Sequence, residues 1–219
     1  MLDLAGVVLG SFDVEGASAV DWEDVARGPC RAVSCLFFAD IGDNDEVRSS
    51  YTIYRVPEPE VLGEGRAVTA DALPFQYPDG SHNAEAVLVD PLSGVVTIVT
   101  KVGSGPAPIY ELPMPLTPGT VVQALPAGFV AVPEGSEPIT GGDVHPAGHG
   151  VLVRTYDRLL HYAKAPDQSV AAALAARPCE VPVADEMQGE AVAWLADGSG
   201  YVTMSEGEAE ELHVVTCAP

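Results

Sequence analysis

Carboxylates recur in this chain at one kind of place, the head of an apolar, strand-like run. Asp24, with Glu23 beside it, precedes "VARGP"; Glu85 precedes "AVLVD"; Asp143 stands in "GGDVHPAG"; Glu190 precedes "AVAWL". Acids brought together from such positions cannot all stay ionised unless a cation neutralises them or some keep their protons. Oxygen donors suit a hard ion, so calcium is the first candidate and magnesium the second. The expected metal set is Glu23, Asp24, Glu85, Asp143 and Glu190. The competing reading is that these acids accept hydrogen bonds from backbone N–H groups and cap turns. "DIGDND", residues 40–45, lacks EF-hand spacing. Asp40, Asp43 and Asn44 there read as an Asx-type turn around Gly42.

Two basic residues stand at corresponding strand ends, Lys101 and Arg154, in a chain with only 10 Lys and Arg. Beside a metal they would hold an anionic group as a phosphate clamp does. With Asp143 they are the catalytic candidates. A metal-dependent hydrolase of phosphoester or ester bonds would use the ion to polarise the bond and a free carboxylate to activate water. If Lys101 and Arg154 instead neutralise the acids around them, binding is favoured over hydrolysis; a structural or protein-interaction propeller is the third reading. His145 and His149 lie in a turn, "HPAGHG", where a four-residue spacing does not stack them as metal ligands. Trp22 reads as a packing anchor between blades, and Tyr54, Tyr110 and Tyr162 as core. No G-x-S-x-G, Walker loop, dinucleotide fingerprint or H-E-x-x-H occurs.

The elements that position these residues are strands. "CLFFAD", "YTIYRV", "EAVLVD", "VVTIVT", "GVLVRTY", "RLLHYA", "AVAWLA" and "YVTMS" are short β-branched or aromatic runs cut by Gly, Pro and Asp. Only "DQSVAAALAARP", residues 167–178, reads as a short helix, with Asp167 as N-cap and Pro178 as stop. The runs repeat as acid, first strand, turn, second strand, then a third strand carrying Tyr54, Tyr110, Tyr162 or His213. A spacing of roughly 45 to 60 residues matches one four-stranded propeller blade with its loops. The expected fold is an all-β propeller in one domain, 1–219, with blades near 20–60, 81–126, 139–184 and 186–217. Propeller geometry would bring strand heads and second-strand ends to one mouth. That mouth would gather Asp21, Glu23, Asp24, Asp40, Asp43, Asn44, Asn83, Glu85, Lys101, Asp143, His145, Arg154, Glu190 and Glu206.

A net charge of −22 makes nucleic acid an improbable partner and a small-molecule or cationic ligand a natural one. No run of about 18 apolar residues is present to span a membrane. The four cysteines form no CxxC and no zinc spacing. Pairing Cys30 with Cys35 and Cys179 with Cys217 would suit a secreted or periplasmic protein. Free thiols would suit the cytoplasm, and "MLDLAGVVLGSFD" is not a signal peptide.

The set "DWEDVARGPC…CLFFADIGDN…YRVPEP", "NAEAVLVDPLSG…VTK", "TGGDVHPAG…VRTY" and "QGEAVAW…SEG" resembles a group of bacterial secreted β-propeller proteins, most of them uncharacterised. These are similar in turn to the calcium-dependent phytase-like and SdiA-regulated propellers. The resemblance runs from about residue 20 to the end. It implies the propeller fold, export, disulfides and a calcium in the channel, and no settled activity. Relatives carry an additional N-terminal blade with an "NDSGD"-like stretch that this sequence lacks. The segment at 6–16, "GVVLGSFDVEG", is then expected to close a four-bladed ring as an outer strand of the last blade. The alternative is a truncated five-bladed ring with an open edge.

Overall fold

The computed structural model describes residues 1, 3–30, 33–59, 63 and 65–217. The chain opens with β1 (Phe12–Glu15) and then lays down β2 (Trp22–Cys30), β3 (Val33–Asp40) and β4 (Tyr51–Pro57) as an antiparallel meander. β5 (Arg66–Thr69) leaves that sheet and β6 (Asp71–Gln76) rejoins it beside β4. The second sheet is β7 (Ala84–Val89), β8 (Val96–Thr100) and β9 (Ala107–Glu111). The chain then returns to the first sheet through β10 (Val122–Gln123), which pairs in parallel with β6, before β11 (Leu125–Val130) completes the second. The third sheet is β12 (Ile139–Val144), β13 (Gly150–Thr155), β14 (Leu159–Ala163) and, after helix α1 (Val170–Leu174), β15 (Cys179–Val181). The fourth is β16 (Gly189–Trp194), β17 (Gly200–Ser205) and β18 (His213–Thr216).

These four meanders are the blades of a β-propeller. Their first strands pack side by side in the order β2, β7, β12, β16, and β2 also reaches across to β12. No comparable packing joins β16 to β2. The two-residue side-chain period of a strand explains the core. Phe37, Ile53, Phe75, Val87 and Ile98 fill the seam between the first and second blades. Leu88, Val99, Val151, Val153 and Tyr162 fill the next. Leu152 and Leu159, pointing the other way, meet Val192 and Tyr201 of the last blade. β7, β8 and β13 are buried on both faces and read as continuous apolar runs, whereas β2 and β16 alternate because one face has no neighbouring blade.

Several expectations need correction. The 6–16 segment does not complete the last blade: β1 pairs in parallel with β5, beside the first blade. The first blade extends past residue 60, since its fourth strand is β6. The cap of α1 is Ser169, whose hydroxyl accepts from the Ala172 N–H, not Asp167. Cys30 and Cys35 are bonded across the β2–β3 turn, but Cys179 and Cys217 are both unbonded and exposed. They lie on the outermost strand of one blade and just beyond the outermost strand of the next. Trp22 stacks on Phe38, tilts against Tyr54 of its own blade and remains 36% exposed, so it does not lie between blades.

Candidate functional site at the channel mouth

Each blade begins with the same irregularity. The pairing of first and second strand slips by one residue between Trp22 and Asp24, Ala84 and Ala86, Ile139 and Gly141, and Gly189 and Ala191. The extra residues are Glu23, Glu85, Thr140 and Glu190. A β-bulge leaves one residue outside the ladder and re-aims its side chain, and bulges concentrate at functional rims. The repeated acid of the sequence is therefore a bulge residue in three blades. In the third blade the equivalent residue is Thr140, whose hydroxyl donates to the Gly189 carbonyl at 2.8 Å. Asp143 lies three residues deeper along β12 and does not belong to the ring of bulges.

A second four-fold pattern sits above the first. The N–H groups of Gly42, Lys101, Tyr156 and Glu206, just beyond the second strands, donate to the carbonyls of Asp21, Asn83, Pro138 and Gln188. Each acceptor lies two residues before its blade's bulge residue. Asn83 donates its side-chain amide to Glu85 at 3.3 Å, and Gln188 does the same for Glu190 at 3.2 Å. In the first blade an acid, Asp21, stands where the second and fourth carry an amide and the third carries Pro138, so Glu23 receives a like charge in place of a donor.

The consequence is a proton held at the mouth. Glu23 is half-buried beside Glu85 and Asp21; burial first, and then these like charges, push its pKa up to about 8 and keep a proton on it at neutral pH. The chain of contacts then runs across three blades: Glu85 accepts from the Lys101 ammonium at 3.0 Å, and Lys101 donates to the Tyr156 hydroxyl at 2.8 Å. Burial works against the Lys101 charge, but Tyr156 and Glu85 outweigh it and hold the ammonium protonated. Gly42 supplies the space: a Cβ there would overlap the Glu23 and Asp21 carboxyl groups.

The other residues expected at the mouth divide into four groups. Asp40 accepts from the Asp21 N–H at 3.1 Å and pairs with Arg48 at 2.9 Å. Asp43 accepts from the Val47 and Arg48 N–H groups and the Tyr51 hydroxyl, which outweigh its burial and lower its pKa. Asn44 accepts from Asn83, whose carbonyl oxygen takes the Asp43 N–H. These shape the loop, as an Asx-type turn does. Arg154 is fully buried and faces Glu186 at 3.1 Å, with Thr203 bonded to the same carboxyl. Glu190 and Glu206 share the amide of Gln188. His145 is at the opposite end, in the β12–β13 turn, stacked on His149 and against Trp194.

Asp24 and Asp143 form a second acidic pair, below the mouth. Asp24 accepts from the Val87 N–H of β7 at 2.9 Å and Asp143 from the Trp194 N–H of β16 at 2.7 Å. Each also accepts from the N–H of the residue that follows it. They satisfy inner-strand N–H groups that no ladder reaches. Both keep some accessible surface, yet their carboxyl groups lie deep among the inner strands. Burial raises the Asp24 pKa to about 8 and that of Asp143 to about 6. Among the described residues, no group of three or more His, Cys, Asp or Glu is arranged to hold a metal ion. Asp21, Glu23 and Glu85 act on one another, and Lys101 already neutralises the last. Sequence reasoning missed Tyr156 and Glu186. The signal for Tyr156 was its place after the second strand, shared with Lys101; Glu186 had none.

Sheet order, bulges and mouth together define a four-bladed β-propeller. No protein-family model matches the chain, and no curated protein matches it in sequence. Solved structures with a similar trace include a candidate 6-phosphogluconolactonase from Bacteroides uniformis, with 12% identity, TM-score 0.47, and 87% of this chain covered. The periplasmic gluconolactonase PpgL of Pseudomonas aeruginosa shows 11% identity, TM-score 0.47 and 90% coverage. A humanized mutant of the Chaetomium thermophilum Polycomb Repressive Complex 2 shows 13%, 0.48 and 90%. The chain spans 52%, 58% and 39% of those three chains respectively. No activity is carried from them to this chain.

Proposed function

We propose that this propeller is a binding module whose mouth takes a small cationic ligand on Asp21 and Glu23, with calcium as the first ion to test. The observation that carries the reading is the crowding of the Glu23 and Asp21 carboxyl groups against Gly42, beside Glu85; burial and that crowding raise the Glu23 pKa to about 8 and keep a proton on it at neutral pH. A cation that displaces that proton removes the like-charge repulsion. When bound, calcium would neutralise Asp21 and Glu23 while Lys101 continues to serve Glu85. Hydrolysis of phosphoesters ranks second, because Lys101 and Arg154 are each taken by a carboxylate and leave no free clamp for a phosphoryl group. What supports hydrolysis is the Glu23 carboxyl, protonated at neutral pH and so placed to act as a general acid. The Cys30–Cys35 bond supports a secreted or periplasmic setting. No helix among the described residues is long and apolar enough to cross a membrane.

The test is calorimetry and thermal denaturation with calcium, magnesium, choline and spermidine, before and after chelation, at pH 7 and pH 9. Binding is expected to release a proton at pH 7 and to raise Tm, and Glu23→Gln is expected to remove the proton release. Identical melting with and without each of the four, in thoroughly chelated protein, would refute the binding reading. A parallel screen for phosphatase and esterase turnover decides the second reading.

A further inference from the structure

The gap between the first and last blades is a cleft of about 470 Å³. That volume lies within the range of small-molecule sites. One wall is Val25 and Leu36 of the first blade; the other is Ala193, Trp194 and Leu195 of the last; Asp143 lies at its base. The interior carboxylates Asp40, Glu85, Asp90 and Glu186 each face a basic side chain, namely Arg48, Lys101, Lys164 and Arg154, at 2.9 to 3.1 Å. Among the described residues, Asp143 and its neighbour Asp24 have backbone N–H donors and no basic partner. Of the described residues lining the cleft, the basic one is Arg27, held by Glu58 at 2.7 Å. Buried charges in proteins are ordinarily paired. A carboxylate oxygen that accepts one N–H keeps a second acceptor site.

We propose that this cleft binds an apolar molecule carrying one ammonium group, with the ammonium donating to Asp143 and the apolar body lying between Val25 and Leu36 on one side and Ala193 and Leu195 on the other. The charge complementarity selects the ligand: an anion would meet Asp143 while Arg27 is engaged by Glu58, and a neutral apolar molecule would leave Asp143 as it is. The site is separate from the mouth, since Asp143 lies below the ring of bulges and Glu23 does not line the cleft.

The experiment titrates the full chain with 2-phenylethylamine and with its neutral counterpart 2-phenylethanol, by calorimetry and by tryptophan fluorescence in a Trp22→Phe background that leaves Trp194 as reporter. The amine is expected to bind saturably and at least about tenfold more tightly than the alcohol, the advantage of one charge-assisted hydrogen bond. Asp143→Asn should erase that preference; the amide oxygen can still accept the Trp194 N–H. Ala193→Trp, at an exposed position, should block both ligands by filling the cleft, so a folding defect in one variant leaves the other decisive. Glu23→Gln should change neither affinity. The proposal is overturned if the amine does not bind at millimolar concentration, if amine and alcohol bind alike, or if Glu23→Gln rather than Asp143→Asn removes the binding, which would assign it to the mouth.

Discussion

Replacing Asp24 by Asn should flatten the pH dependence of stability between pH 5 and pH 7. In the native protein the Asp24 carboxyl is raised by burial to about 8, from an ordinary 3.8. Across that window the unfolded chain has lost the proton and the native chain still holds it. The native state therefore binds more protons, and stability falls as pH rises, by about 1.4 kcal/mol per pH unit. Two units cost about 2.5 kcal/mol, which for a chain of this size is a fall in Tm of roughly 5–10 °C. Asp143, raised to about 6, and Glu23, raised to about 8, act in the same direction. His145 and His161, both lowered chiefly by burial, act in the opposite one below the ordinary histidine value of 6.5. Those contributions persist in the variant, so the difference between the two slopes isolates Asp24. The Asn carbonyl can still accept the Val87 N–H, and the lost second acceptor costs about 1–3 kcal/mol at every pH. The assay is urea denaturation of both proteins at half-unit pH steps. Equal slopes in the two proteins would show that Asp24 ionises freely in the folded state and would remove the argument for a buried, unpaired acid.

Gly42→Ala should fold with stability within about 1 kcal/mol of the parent, because the overlap is with movable carboxyl ends and not with backbone; it should nevertheless abolish proton release on cation binding, which calorimetry in two buffers reads directly. Arg154→Met should lose about 3–5 kcal/mol by leaving Glu186 buried and unpaired, and Arg154→Met with Glu186→Leu should recover most of it; equal losses in the single and double variants, by denaturant melts, would contradict the pairing. Thiol titration of unreduced, denatured protein should count two thiols, from Cys179 and Cys217, and four after reduction. A count of four before reduction would remove the Cys30–Cys35 bond.

Blade number and strand identity were legible because turn residues and β-branched runs alternate at a short, regular spacing. The bulge acids Glu23, Glu85 and Glu190 were legible as a repeat, although nothing in the sequence marked them as bulges. Asp143 was misaligned because the third blade carries Thr140 in place of an acid at the bulge, and an acid stands three residues further on in the same strand. The partner of Arg154 could not be read, since an ion pair between blades depends on the rotation of one sheet against the next; Lys101 and Glu85 lie within one blade, but the bulge that turns Glu85 toward Lys101 left no mark in the sequence. The path of residues 6–16 was misjudged for a similar reason: a short strand with polar and apolar faces, such as Phe12–Glu15, fits any free edge of matching register. The alternating burial of β2 and β16 carried a signal that blade counting overlooked, namely that these strands bound the row of blades.

The return of β10 to the first sheet has a consequence for how the molecule comes apart. A strand that belongs in sequence to the second blade is hydrogen-bonded to β6 of the first, so neither of those blades can open without tearing the other. The last blade has no such tie. It consists of three strands, its buried apolar seam rests on one neighbour, and β18 is its outer edge. Local opening with a lower free energy than global unfolding is therefore expected to begin there and to spread inward. The first step of that unzipping frees Glu186 from Arg154, and with it the one interior cation of the third blade that cannot shed its charge.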